Sequence, residues 1–169
     1  CAVVERDGYE ADDILGTLSA AAVRQGGDCF IATGDRDALQ LVDDKVTVLL
    51  AATKMGRPDT SAYDIPAIRE KYGLSPAQLI DLKALMGDAS DNIPGVPGVG
   101  EKTALALLHT FHTLDELYAH IDSPEIRDGV RSKLAAGKDS AYLSRELGTI
   151  CRQAPVETDM DAYVIRPAK

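Results

Sequence analysis

Seven carboxylates fall in three tight groups along the chain: Glu10, Asp12 and Asp13; Asp35 and Asp37; Asp88 and Asp91. Carboxylates are hard oxygen donors. Gathered in space with no His or Cys among them, they favour Mg²⁺ or Mn²⁺ over zinc. Like charges at close range raise one another's pKa, so such a group keeps its acids ionised only with cations among them. Magnesium binds through few carboxylates and keeps several waters. Seven acids therefore predict two ions, some of the acids acting through water. Two ions about 4 Å apart can clamp the attacking and leaving oxygens of a phosphoryl displacement. Each group alone also has a plainer reading. Glu10, Asp12 and Asp13 suit the first turn of a helix through its dipole, and Asp37 can cap the helix that follows it. Capping leaves Asp35 unexplained.

Soon after Asp91 the chain runs through Gly95-Val96-Pro97-Gly98-Val99-Gly100, too rich in glycine and proline for regular structure, and Glu101-Lys102-Thr103 then opens a helix-forming run. A turn that opens a helix exposes backbone N–H groups, and the helix dipole favours an anion there. The segment predicts a grip on a phosphodiester beside the acidic groups.

The elements that must carry these residues can be read from periodicity. Residues 2–4 read as a short buried strand, and residues 10–23 as a helix with Ile14, Leu15, Leu18, Ala22 and Val23 on one face, stopped by Gly26 and Gly27. Residues 29–33 read as a central strand covered on both faces. Asp35 and Asp37 follow its carboxyl end, where ligands bind in open α/β sheets. A helix-like turn at 38–42, a strand at 46–50 and a loop or hairpin tip at 54–58 come next. Then come a helix at 65–72 closed by Gly73, and another opened by Ser75 as N-cap with Pro76 in first position and ended by Gly87. Beyond the glycine-rich turn four helices are expected, at 103–111, 114–121 (capped by Thr113), 126–136 (stopped by Gly137) and 140–147. Residues 149–156 read as an edge strand. Arg127, Arg131 and Lys133 read mainly as a solvated face, with contact to a nucleic-acid backbone as the alternative. The organisation is α/β first and all-α after, with a boundary near 72–76.

The 169 residues suit one domain, or one domain with a small lobe. A net charge of −9 is unusual for a protein that grips phosphates. Most of that imbalance lies in the seven clustered acids, which divalent cations would neutralise. No apolar run approaches a membrane span, and the start has no signal-peptide pattern. It also lacks Met, so a preceding segment is expected. Cys1, Cys29 and Cys151 share no ligand-like spacing, and an odd count predicts reduced thiols and a cytoplasmic location. His109, His112 and His120 read as surface or helix-packing residues.

Three segments together, Glu10-Ala11-Asp12-Asp13, Gly34-Asp35-Arg36-Asp37 and the run from Gly87-Asp88 through Asp91-Asn92 to Lys102-Thr103, resemble the 5′-nuclease (5′→3′ exonuclease) domain family of bacterial DNA polymerases I, within the flap endonuclease superfamily. The resemblance covers nearly the whole chain. It implies a PIN-like α/β fold, with a mixed or parallel sheet and flanking helices, plus an all-α helix–three-turn–helix lobe. Residues 1–74 would then be part of the nuclease core, 75–150 the helical DNA-binding lobe, and 151–169 an edge segment and tail. It implies removal of 5′ flaps and RNA primers in replication and repair, on DNA carrying flaps, nicks or primers, in the bacterial cytoplasm at the nucleoid. Glu10, Asp12 and Asp13 match central metal ligands. Asp35, Asp37, Asp88 and Asp91 match further acids, several of them outer-shell or at a second site. Gly95, Val96, Gly98, Val99, Gly100, Lys102 and Thr103 match the hairpin that holds the duplex backbone, whose carbonyls in relatives also hold a monovalent cation such as K⁺. Backbone contacts carry no base information, so binding would follow junction shape. Family members also have a strand ending in Asp and a helical arch ahead of the first motif, neither of which lies in residues 1–169, and a polymerase region can follow. Two other readings stand beside this one. A truncated, catalytically weak duplex-DNA-binding module explains the lobe. A PIN-type ribonuclease explains the acids but not the turn and helix after Asn92.

Overall fold

The computed structural model describes residues 2–54 and 56–165. The chain divides into two compact units: Cys1–Ala67 together with Ile150–Lys169, and Ile68–Thr149.

The first unit is α/β. Helix α1 (Ala11–Arg24) packs on strand β1 (Cys29–Thr33) and on a 3₁₀ turn (Arg36–Leu41). Strands β2 (Val46–Lys54) and β3 (Arg57–Tyr63) complete a mixed sheet of order β1-β2-β3. β1 runs parallel to β2, Ile31 opposite Val48, and β2 runs antiparallel to β3, Leu50 opposite Ser61. The core of this unit gathers Ile14, Ala21, Ile31, Leu39, Leu41, Val46, Val48 and Leu50.

Three expectations fail here. Residues 2–4 form no strand, and Val3 is exposed, because no described segment pairs with them. β1 is not a central strand covered on both faces. It lies at an end of the described sheet, Ile31 is buried, and Phe30 beside it is 67 % exposed. Its apolar run therefore has the alternating burial of a one-sided strand. Nor do residues 149–156 form an edge strand. Side chains of the first unit hold that backbone instead. The Ile150 N–H donates to Gln40 Oε1 (3.0 Å), Cys151 N–H to Asp13 Oδ1 (2.8 Å) and Ala154 N–H to Thr17 Oγ1 (2.9 Å). With those donors satisfied by side chains, the regular alternation of N–H groups that a ladder needs is broken. These bonds also make residues from Ile150 onward part of the first unit. β3 begins inside the loop or hairpin tip expected at 54–58, and the rest of it, exposed or half-buried with no apolar alternation, has no strand signal in the sequence. Met55, in the expected hairpin tip, and the last four residues of the tail lie outside the described residues.

The second unit is all-α. Helix α2 (Ile65–Tyr72) leads into it, followed by α3 (Gln78–Met86), α4 (Glu101–Phe111), α5 (Leu114–Ala119), α6 (Asp128–Ala136) and α7 (Lys138–Gly148). α3 packs on α4 and α7 around Leu82, Leu85, Val96, Leu108, Leu117 and Leu134. α3 starts later than Ser75 and Pro76 predict. The N–H groups of Gln78, Leu79 and Ile80 bond to carbonyls three residues back, those of Ser75 (3.1 Å), Pro76 (3.2 Å) and Ala77 (3.3 Å), so the chain enters the helix through a tight turn, while Gln78 Oε1 accepts the Ser75 N–H (2.8 Å). Arg131 is not part of a solvated face. Its guanidinium donates to the carbonyls of Ile121, Ser123 and Ile126, each at 2.9 Å, and so ties down the loop between α5 and α6. Buried Asp81 accepts the Leu114 N–H (2.9 Å), fixing the start of α5 against α3.

Candidate functional site

In the first unit the acids sit at the start of α1 and after β1. Asp35 caps the 3₁₀ turn by accepting the Asp37 N–H (2.9 Å), and its own N–H donates to Thr33 Oγ1 (3.0 Å). This is the capping chemistry weighed above, with the cap at Asp35 rather than Asp37. Asp13 accepts the Glu10 N–H on Oδ2 (3.1 Å) and the Cys151 N–H on Oδ1 (2.8 Å), so both of its oxygens already serve the backbone. Asp12 is different. Burial, then the charges of Asp35, Asp37, Glu10 and Asp13, push its carboxyl from 3.8 up to about 6. The two sequence-distant acidic groups of this unit thus act on one side chain.

The sign of that shift matters. A carboxyl whose folded pKa lies above its unfolded value opposes folding when ionised. The penalty is present above about pH 6 and fades as pH falls toward 3.8. A bound cation removes it. Adding Mg²⁺ is therefore expected to raise Tm clearly at pH 8 and much less at pH 5, by differential scanning calorimetry. An equal shift at both values would contradict the electrostatic account.

In the second unit Asp88 and Asp91 each offer a carboxylate oxygen within 4.8 Å of the other's. Asp88 and Ile93 exchange both backbone hydrogen bonds at 2.8 Å, closing the loop that carries Asp91. Ser90 binds Asp88 Oδ1 through its hydroxyl and its N–H, and this, with Lys83, holds the Asp88 carboxyl below the usual range. The Lys83 ammonium lies 3.2 Å from Asp88 Oδ2 and 2.6 Å from Asp91 Oδ2. A cationic group thus already sits against this pair. All-oxygen donors, one acid held up by its neighbours and one pair bridged by an ammonium fit a hard divalent cation.

The hairpin between Gly87 and α4 is fixed from beneath. The backbone has φ of +73° at Gly87, +63° at Gly95 and +80° at Gly98, the left-handed region that favours glycine. Gly95 N–H donates to the buried Ser144 Oγ (2.8 Å), and Ser140 donates to the Gly95 carbonyl (2.6 Å). Val96 and Val99 are in the core. Of the predicted hairpin contacts, Gly95, Val96 and Val99 therefore face inward, and Gly98, Gly100 and Lys102 are exposed, with Thr103 half-buried. Gly100 caps α4 with no side chain and has no atom within 4 Å of where a Cβ would stand, leaving the first turn of the helix open. Lys133 donates to the Gly98 carbonyl (3.1 Å). Sequence reasoning missed Lys83, Ser90, Ser144 and the placement of Lys133. A lysine one turn or so ahead of the acids was the one available signal.

Ser144→Ala leaves the buried Gly95 N–H without an acceptor. It is expected to cost about 1–3 kcal/mol, read from the urea midpoint. An unchanged midpoint would show that the hairpin does not depend on this bond.

Residues 74–169 match the model of the 5'-3' exonuclease C-terminal SAM fold, and residues 1–73 that of the 5'-3' exonuclease N-terminal resolvase-like domain. The chain belongs to the 5'-3' exonuclease family. Among curated relatives, DNA polymerase I of Bacillus caldotenax is 49 % identical over 93 % of this chain and 18 % of its own length, and that of Bacillus subtilis 47 % identical over 92 % and 17 %. The chain thus spans less than a fifth of the length of these relatives. A mutant of T5 5'-exonuclease superimposes with a TM-score of 0.70 at 25 % identity, covering 85 % of this chain and 58 % of that one. The T5 5'-exonuclease with bound divalent zinc ions has a TM-score of 0.72 at 24 % identity, covering 85 % and 51 %. No helix among the described residues of this exonuclease-family chain is long and apolar enough to cross a membrane.

Proposed function

We propose that this chain is the metal-dependent 5′-nuclease part of a bacterial DNA polymerase I, hydrolysing phosphodiesters at 5′ flaps, nicks and RNA primers. The observation that carries the reading is Asp12, pushed to about 6 by burial and four neighbouring acids. Such a group is poised for cations. Family membership and the DNA polymerase I relatives support the substrate class. So does a T5 flap endonuclease solved as a pseudo-enzyme-product complex with DNA and metal ions.

In this reading Glu10, Asp12, Asp13, Asp35 and Asp37 of the first unit, and Asp88 and Asp91 of the second, are the acids that hold Mg²⁺ or Mn²⁺, as two ions. Asp13 carries one backbone N–H on each oxygen and keeps a lone pair on each for an ion or its bound water. The ions supply Lewis-acid stabilisation of the phosphoryl oxygens and an activated water. The protein's own part is to orient and to hold. Gly98, Gly100, Lys102 and the open first turn of α4 seat the duplex backbone, Thr103 supports them, and K⁺ at the hairpin carbonyls is part of the proposal. Gly95, Val96 and Val99 shape that turn from inside. A polymerase region beyond residue 169 and a cytoplasmic, nucleoid-associated setting complete it.

The test is cleavage of a 5′-flap substrate by the intact protein with Mg²⁺, against EDTA and against duplex binding measured at rising salt. Mg²⁺-dependent cleavage is the expected result. Salt-sensitive binding without any cleavage would favour the DNA-binding module instead.

A further inference from the structure

We infer that Lys83 is the resident counter-cation of the Asp88–Asp91 pair, and that a divalent ion binds this pair by displacing the Lys83 ammonium. The inference rests on the proposed metal-dependent reading and adds to it a residue that sets metal affinity.

The geometry is specific. Lys83 is three residues from the end of α3, and its side chain is only 11 % exposed, against 32 % for Asp88 and 46 % for Asp91. Its ammonium reaches Oδ2 of both acids. Ser90 holds the other oxygen of Asp88, Oδ1, so Oδ2 is the one presented to Lys83. A Cβ at Gly148, the last residue of α7, would stand 3.5 Å from Lys83 Cδ, so the lysine stem lies along the α7 terminus. A bulky residue there would crowd the stem. The ammonium is therefore delivered to the acid pair by packing rather than by chance on the surface.

The electrostatics set the consequence. Two carboxylates within 4.8 Å repel, and a cation between them offsets that repulsion. The same ammonium competes with any second cation for the same oxygens. It keeps the pair assembled while metal is absent and weakens metal binding. A lysine that served only to brace α3 would leave metal affinity unaltered when replaced.

The test is a calorimetric titration of the intact protein with Mg²⁺, comparing wild type with Lys83→Met, Lys83→Gln and Lys83→Arg. Methionine keeps the stem and removes the charge, glutamine guards against a packing artefact, and arginine keeps the charge. The neutral variants are expected to bind Mg²⁺ about tenfold more tightly than wild type, with a lower Tm before metal is added. Lys83→Arg should stay near wild type. Affinity within twofold of wild type, or weaker, in both neutral variants overturns the inference while leaving the metal site standing. If neither wild type nor the neutral variants take up Mg²⁺, the metal-dependent reading falls as well.

Discussion

Asp12→Asn is expected to raise the Tm of the metal-free protein at pH 8 and to cut Mg²⁺-dependent flap cleavage by more than about a hundredfold, the upper range for losing a group that merely orients a metal ligand. The two effects share a cause. In the folded chain burial comes first, followed by the charges of Asp35, Asp37, Glu10 and Asp13, in raising the Asp12 pKa to about 6. Ionised Asp12 therefore strains the fold above that pH, and a neutral amide of the same shape relieves the strain. The gain in Tm should vanish near pH 4, where Asp12 is largely protonated in the wild-type fold too. The same substitution removes the carboxylate that the proposed centre depends on. A site that costs stability and returns activity is what a catalytic acid group predicts. Scanning calorimetry at pH 8 and pH 4, beside single-turnover flap cleavage, reads both. An Asp12→Asn protein that cleaves at the wild-type rate, or that melts lower at pH 8, would refute the assignment of Asp12.

Gly95→Ala is expected to destabilise the helical unit by about 4 kcal/mol or more, with a fall in Tm on the order of 10 °C or beyond. Gly95 has φ +63°, so any side chain is strained there before packing is considered. A Cβ would also meet the Met86–Gly87 main chain: Gly87 N, Gly87 Cα at 2.7 Å and the Met86 carbonyl carbon at 2.7 Å. The clash is reciprocal, because a Cβ on Gly87 would lie 2.7 Å from the Ile93 oxygen and 2.8 Å from the Pro94 oxygen. Two stretches of main chain cross here without room for a methyl group, and main chain cannot rotate aside. Other glycines of the same turn provide the contrast. At Gly98 a methyl meets only the flexible end of Lys133, so Gly98→Ala should cost about 1 kcal/mol from φ strain. At Gly100 nothing lies within 4 Å, and Gly100→Ala should leave Tm unchanged. Equal Tm values for the Gly95 and Gly100 variants would show that the crossing is not rigid.

Much of the local structure was legible from local chemistry. The capping residue Thr113, the stops at Gly87 and Gly137 and the hairpin glycines act within a few residues of themselves, and the structure has them where local rules place them. The α/β-then-α order followed from the change in apolar periodicity. The strands were harder. β3 has no apolar alternation, and β1 reads as a buried run until its position in the sheet is known. Residues 149–156 have the composition of a strand, yet the side chains of Asp13, Thr17 and Gln40 claim their N–H groups from more than a hundred residues away.

The sequence by itself determined which residue types could hold a divalent cation, where the glycine-rich turn must lie, and that glycine must occupy it, because donor hardness and backbone sterics are properties of single residues and their nearest neighbours. Only the tertiary structure decided how those residues divide the work. It separated Asp12, pressed by four other acids, from Asp13, with one backbone N–H on each oxygen. It turned Val96 and Val99 into the core and left Gly98, Gly100 and Lys102 outside. It also set Lys83 between two carboxylates. Burial and Coulomb interaction depend on distances through space, and no spacing along the chain encodes them.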